Sequence, residues 1–161
     1  MNVVKTALLG YPGVGKSTII KMLSGKSERE LRQEYEPTIG IDFGTIDLFN
    51  NQLKVSLWDL GGQSHFRKLW DSFLPGTGLI CAVTDSTPEN VEKTKEIIAK
   101  YKNYNGAKVI VIANKQDLPN SMPAKDIEKE LGVKTIGMVA VDLAKKRTLY
   151  NELQNAFTSY T

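Results

Sequence analysis

The amino-acid sequence predicts an α/β fold: a mostly parallel six-stranded sheet with one antiparallel strand and helices on both faces. Three observations carry this expectation. Short aliphatic runs alternate along the chain with stretches whose apolar residues recur at helical spacing. The first run leads through Gly10-Tyr11-Pro12-Gly13-Val14-Gly15-Lys16-Ser17, of the form G-x-x-x-x-G-K-[ST], into a helical pattern. One pair of runs is joined by Asn50-Asn51, a hairpin signal that supplies the antiparallel strand.

The elements follow in order. Val3, Ala7, Leu8 and Leu9 make the first strand, and Ile19, Ile20 and Leu23 the inner face of the first helix. Residues 41 to 49 and 52 to 59 read as the hairpin, while Leu79 to Val83 and Val109 to Ala113 read as buried parallel strands. A further short strand is expected from Thr135 to Val141. Thr87 as N-cap, with Pro88 at the first helical position, opens a helix whose Val91, Thr94, Ile98 and Tyr101 share one face. Ser121 and Pro123 precede a helix carrying Ile127 and Leu131, which Gly132 is placed to stop. Leu149, Leu153, Ala156, Phe157 and Tyr160 form the apolar stripe of the last helix.

Bulk properties narrow the function classes. With 161 residues, 41% of them hydrophobic and 24% charged, the chain fits a single domain over residues 1–161. Its 21 basic and 18 acidic residues give a net charge of +3, and the basic residues are scattered apart from Lys145-Lys146-Arg147, which argues against nucleic acid as partner. The single cysteine, Cys81, lies in an apolar strand and is expected to be a buried thiol. No apolar run approaches the roughly 20 residues that span a bilayer, and the N-terminus is too mixed for a signal peptide, so a cytoplasmic chain is expected. Asn2 stands where myristoylation needs glycine, and Thr158-Ser159-Tyr160-Thr161 lacks a prenylation cysteine, so membrane contact is expected only through a partner.

Two motifs carry the chemistry. In the glycine-rich loop, successive N–H groups can turn inward onto anionic oxygens, and the following helix adds the positive end of its dipole. Gly10, Pro12, Gly13, Val14, Gly15, Lys16, Ser17 and Thr18 are therefore expected around a polyphosphate, with Lys16 reaching the β- and γ-phosphates and the Ser17 hydroxyl facing Mg2+. Asn114-Lys115-Gln116-Asp117 leaves the end of a buried strand on the same rim. A carboxylate there accepts two hydrogen bonds from the N1–H and amine of guanine, a donor pair that adenine lacks, so GTP and GDP are the expected ligands. Asp117 would make that contact, Asn114 would tie neighbouring loops together, and the Lys115 stem would lie along the base.

With Gly10 to Ser17, Thr38, Asp59 to Gln63 and Asn114 to Asp117 in order, nearly the whole chain resembles the Ras superfamily of small GTPases and their P-loop G domain. Trp58-Asp59-Leu60-Gly61-Gly62-Gln63 resembles the Arf branch, whereas Pro37 to Thr45 is more similar to Rab, a mixture also known in prokaryotic Ras-like GTPases. The resemblance implies a molecular switch with effector, activating and exchange proteins as partners and a monomeric state. Thr38 would supply a magnesium ligand, Tyr35 would fold over the phosphates, and Asp59 would hold Mg2+ through water. Gly62 would offer its N–H to the γ-phosphate, and Gln63 would orient the attacking water, making Gln63 and Lys16 the expected catalytic residues. Val139-Ala140-Val141 stands where Ras proteins have Ser-Ala-Lys; the Ala140 N–H would meet the base oxygen, and Val141 lacks the lysine stem. Pro12 replaces a glycine of Ras, and Tyr35 stands where G-protein alpha subunits carry an arginine, so slow intrinsic hydrolysis is implied, with Arg29 and Arg32 nearby but off that position. His65 is not expected to be catalytic.

In Rab and Arf proteins, aromatics matching Phe43, Trp58 and Phe73 face effectors. Ile41, Phe43, Trp58, Trp70 and Phe73 are accordingly the expected effector surface, with packing beneath the switches the competing role for Trp70. Two rival readings compete with the switch. A small P-loop phosphotransferase needs an acceptor site and an arginine-rich lid, neither of which the sequence presents. A non-cycling GTP-bound module, resembling the beta subunit of the signal recognition particle receptor, would use nucleotide only for folding and docking.

Overall fold

The computed structural model of this chain describes residues 2–25 and 40–158. Tyr35, Thr38, Arg29, Arg32 and Tyr160 lie outside the described residues. One sheet has the order β2-β3-β1-β4-β5-β6. Its strands are β1 (Asn2–Leu9), β2 (Ile41–Leu48), β3 (Leu53–Leu60), β4 (Thr77–Thr84), β5 (Lys108–Ala113) and β6 (Thr135–Gly137). Only the β2–β3 pairing is antiparallel; β3, β1, β4, β5 and β6 run parallel.

Alternation along the central strands divides the core in two. Leu79, Cys81 and Val83 of β4 face one layer, together with α1 (Lys16–Leu23) and α6 (Lys146–Ala156). Ile80 and Ala82 face the other, together with the short helices α2 (Ser64–Arg67) and α3 (Trp70–Phe73), and with α4 (Pro88–Tyr101) and α5 (Ala124–Leu131). The helices thus cover both faces, as the sequence predicts. Thr87 caps α4 by accepting from the Asn90 N–H at 3.2 Å. Gly132 ends α5 in the left-handed region, at φ 68°. Among the described residues, no helix is long and apolar enough to cross a membrane.

Two expected boundaries change. The predicted strand from Thr135 to Val141 pairs with β5 only through Gly137; the Met138 N–H still reaches the Ala113 carbonyl, and Val139 to Val141 then leave the sheet. The hairpin link takes in Phe49, which is left-handed at φ 52° along with Asn50 and Asn51. Asparagine tolerates that region, but a bulky residue does not favour it. The Phe49 N–H donates to Gln154 Oε1 at 3.1 Å, so the last helix contributes to holding this conformation.

Parallel strands bring their carboxyl ends to one rim, and order reverses about β1, which is flanked by β3 and β4. Such a reversal opens a crevice above the strand ends. The two motifs singled out from the sequence follow β1 and β5 and therefore share that rim.

Burial of the Cys81 thiol in β4 pushes its pKa up to about 12. Thiol labelling at pH 8 should leave the native protein unmodified, whereas unfolding in denaturant should raise the rate by at least about a thousandfold.

Candidate nucleotide site

Every loop at the carboxyl rim contributes to the site. Gly10 to Ser17 follow β1, Gly61 to Gln63 follow β3, Asp85 to Thr87 follow β4, Asn114 to Asp117 follow β5, and Val139 to Val141 follow β6. Asn114 joins three of them. Its Nδ2 donates to the Val14 carbonyl at 2.9 Å, and its Oδ1 accepts the Ala140 N–H at 2.9 Å. The asparagine therefore ties neighbouring loops as expected. The Ala140 N–H, expected at a base oxygen, is bonded to this side chain instead.

Gly15 makes that bridge possible. A Cβ there would stand 2.2 Å from Asn114 Nδ2, and its φ of 109° is one that side chains rarely adopt. Lys115, itself left-handed at φ 60°, sends its Nζ to the Gly13 carbonyl at 2.8 Å. Gly15, Thr18, Asn114, Lys115, Asp117, Leu118, Val139, Ala140 and Val141 line a cavity of about 270 Å³. Asp117 is exposed at this cavity, and the Lys115 stem runs from its wall to the phosphate loop. A planar base bound there would meet one carboxylate and largely apolar walls.

At the other end of the crevice, Lys16 is only 6% exposed, and its Nζ donates to the carbonyls of Gly10 at 3.0 Å and Tyr11 at 3.2 Å. Burial lowers its pKa; the Asp59 carboxylate opposes that shift, and Arg67 adds a smaller decrease. Phosphate oxygens would compensate this desolvated ammonium. The Ser17 hydroxyl donates to Asp59 Oδ2 at 2.6 Å, and Asp59 is 1% exposed. A hydroxyl and a buried carboxylate in contact form a hard oxygen pair that fits Mg2+.

Gly62 lies against the phosphate loop. A Cβ there would come within 2.3 Å of the Gly10 carbonyl and 2.9 Å of Pro12 N, so the close approach excludes any side chain. Gln63 follows as the N-cap of α2, its carbonyl accepting from Phe66 and Arg67, each at 2.9 Å. Pro12 is exposed at the mouth of the crevice, and His65 is exposed on α2.

The expected aromatic surface divides. Phe43 is 57% exposed and meets Trp58 edge-on at 4.8 Å, while Lys5 Nζ sits 3.8 Å from the centre of a Trp58 ring. Ile41 is partly exposed beside them, and Phe73 stacks on Phe66 at 5.6 Å. Trp70 does not belong to this surface. It is 2% exposed, and its indole N–H donates to the Gly61 carbonyl at 3.0 Å, because helical spacing turns it inward onto Leu60 and Tyr101.

Three contributors had no signature of their own. Ser86 donates from Oγ to the Asn114 carbonyl at 2.6 Å and accepts from Gln116 Nε2 at 2.8 Å, bracing the base loop. Arg67 donates to the Gly62 carbonyl at 2.7 Å and lies 4.7 Å from the centre of the Tyr11 ring. For Ser86 and Gln116, position at the ends of parallel strands was the available signal. For Arg67, it was position one helical turn beyond Gln63.

These features define a guanine-nucleotide-binding protein of the Ras superfamily. The chain matches the model of the ADP-ribosylation factor family over residues 2–158, and it belongs to that family. It is 31% identical over 134 residues to ADP-ribosylation factor-like protein 1 of Saccharomyces cerevisiae, an alignment covering 81% of this chain and 70% of the yeast protein. GTP and GDP are accordingly its ligands, GTPase activity its general chemistry, and regulators and effectors its general partners. Family membership favours the switch over the non-cycling docking module.

Asn114→Ala should remove both bonds of the bridge and leave the Val14 carbonyl and Ala140 N–H without a partner. Urea unfolding of the nucleotide-free protein should register a loss of about 1–3 kcal/mol, accompanied by faster GDP release.

Proposed function

We propose that this chain cycles between GTP- and GDP-bound states with Mg2+, hydrolyses GTP slowly by itself, and recruits an effector only in the GTP state. The observation that carries this reading is the Asn114 bridge, which fixes a carboxylate-bearing base pocket at a set distance from a buried, phosphate-seeking lysine. Calorimetry on nucleotide-stripped protein tests it: GTP should bind at least about a hundredfold more tightly than ATP, because the Asp117 carboxylate, exposed to water in the free protein, loses its hydrogen bonds when covered by a base without matching donors. Equal affinities would refute the guanine reading.

Ser17, Asp59 and Thr38 are the residues that would hold Mg2+, which when bound offsets the charge on the phosphate oxygens. Lys16 binds the β- and γ-phosphates as a point charge, and Tyr35 closes over them. The Gln63 amide accepts a hydrogen bond from the attacking water while donating to a phosphate oxygen. Phosphoryl transfer depends on electrostatic stabilisation, and this chain has Tyr35 at the position where an arginine in cis would stand. A partner is needed to supply that charge. Pro12, rigid and exposed at the crevice mouth, then limits how such a group enters. Gln63→Leu should retain nucleotide affinity within about threefold while abolishing partner-stimulated phosphate release. Full stimulation in that variant would remove Gln63 from the mechanism.

Loss of the γ-phosphate removes the contacts that hold Thr38 and Gly62, so both neighbouring segments change state together. Ile41, Phe43, Trp58 and Phe73 form the effector surface. Two aromatic rings in mutual contact, one of them largely exposed, suit an interface anchor. In pull-downs with GTP-analogue-loaded protein, Phe43→Ala should weaken capture of a GTP-dependent partner by at least about tenfold without altering GDP affinity. The protein so described is a cytoplasmic monomer.

A further inference from the structure

Gly61 and Gly62 present an unusual problem in a loop that must hold one orientation. Neither has a positive φ; at Gly62 glycine is present for close approach to the phosphate loop, and the cost of the pair is backbone freedom. Side chains downstream restrain that freedom. The Gly61 N–H donates to the Gly40 carbonyl at 2.9 Å, the Gly61 carbonyl accepts from Trp70 Nε1 at 3.0 Å, and the Gly62 carbonyl accepts from Arg67 at 2.7 Å. Among the described residues, the Gly62 N–H has no acceptor.

That N–H and the carbonyl held by Trp70 belong to one peptide unit. The unit is planar and trans, so its N–H points opposite to its carbonyl. Whatever fixes the Gly61 carbonyl therefore aims the Gly62 N–H. The indole is well suited to this. Trp70 is buried among Leu9, Leu60 and Tyr101, while the Tyr101 hydroxyl donates to Asp71 Oδ1 at 2.8 Å and so ties α3 to α4. Lys100 adds an ion pair to the same carboxylate at 3.2 Å. The donor is thus fixed to a helix packed on the sheet, independently of the loop it restrains.

We propose that Trp70 is a positioning residue for recognition of the terminal phosphate: its indole N–H holds the Gly61 carbonyl and thereby aims the Gly62 N–H at the γ-phosphate of GTP. This rests on the reading of the chain as a GTP switch. The buried tryptophan discriminates between nucleotides that it does not touch. Its energetic contribution appears only where a γ-phosphate accepts from Gly62, so GDP is insensitive to it.

Trp70→Phe removes the donor and keeps most of the buried ring. Affinities of the variant for GDP and for a non-hydrolysable GTP analogue, each with Mg2+, provide the test, alongside thermal unfolding with GDP. The proposal expects GDP affinity within about twofold of the parent and GTP-analogue affinity lowered by about tenfold. A ratio of the two affinities unchanged within twofold, even with a lower melting temperature, would reduce Trp70 to packing and overturn the proposal. Should Trp70→Phe not fold, a Trp58→Phe protein is made with benzothienylalanine in place of its remaining tryptophan. Sulfur then replaces the N–H in a side chain of the same shape, and the same ratio is compared with the Trp70-containing Trp58→Phe protein, where an unchanged ratio again overturns the proposal. Failure of the parent itself to distinguish GTP from ATP would instead overturn the switch reading, so the two failures are separable.

Discussion

The Asn114 side chain is the point at which three loops become one site. A single amide donates to the phosphate loop and accepts from the loop after β6, satisfying two buried backbone groups at once. In a low-dielectric interior an unmade bond of this kind is costly, so the bridge ties the geometry of the base pocket to that of the phosphate cradle. The rest of the crevice is consistent with this constraint: Gly15 leaves room for the amide, Ser86 fixes the backbone carbonyl of Asn114, and Lys115 crosses to Gly13.

Charge in the phosphate half is buried. Lys16 is desolvated against carbonyl oxygens, and Asp59 is buried with the Ser17 hydroxyl. Both groups give up hydration on folding, and a bound polyphosphate would return oxygen partners of opposite charge to Lys16. Nucleotide binding and folding are therefore linked. The rim of parallel strands sets the positions, and the buried charges supply the reason for occupancy.

The two tryptophans illustrate how one residue type serves opposite ends. Trp58 lies on a strand whose alternate residues turn away from the core, where it meets exposed Phe43 and the ammonium of Lys5. Trp70 lies on a short helix and turns inward, its N–H satisfied by the Gly61 carbonyl. In the function proposed above, the first would offer a surface to a partner, and the second would hold the loop that meets a γ-phosphate. Both sit on segments that flank Gly62 in the chain, Trp58 before it and Trp70 after it.

Much of this protein was legible in the sequence because its signals are local. Period-two and helical patterns gave the alternation of elements, Thr87-Pro88 gave a helix start, and Gly10 to Ser17 and Asn114 to Asp117 each gave a loop whose chemistry follows from adjacent residues. What the sequence left open depends on contacts between distant segments. The strand after Thr135 ends early because Ala140 is drawn to Asn114, Phe49 is held left-handed with a contact from Gln154, and Trp70 is turned inward by the core it shares with Tyr101. Arg67 and Ser86 belong to the site only because the fold brings them there. Local pattern determines which groups a loop carries; long-range packing decides which backbone atom each group meets, since that choice is made by geometry among segments far apart in the chain.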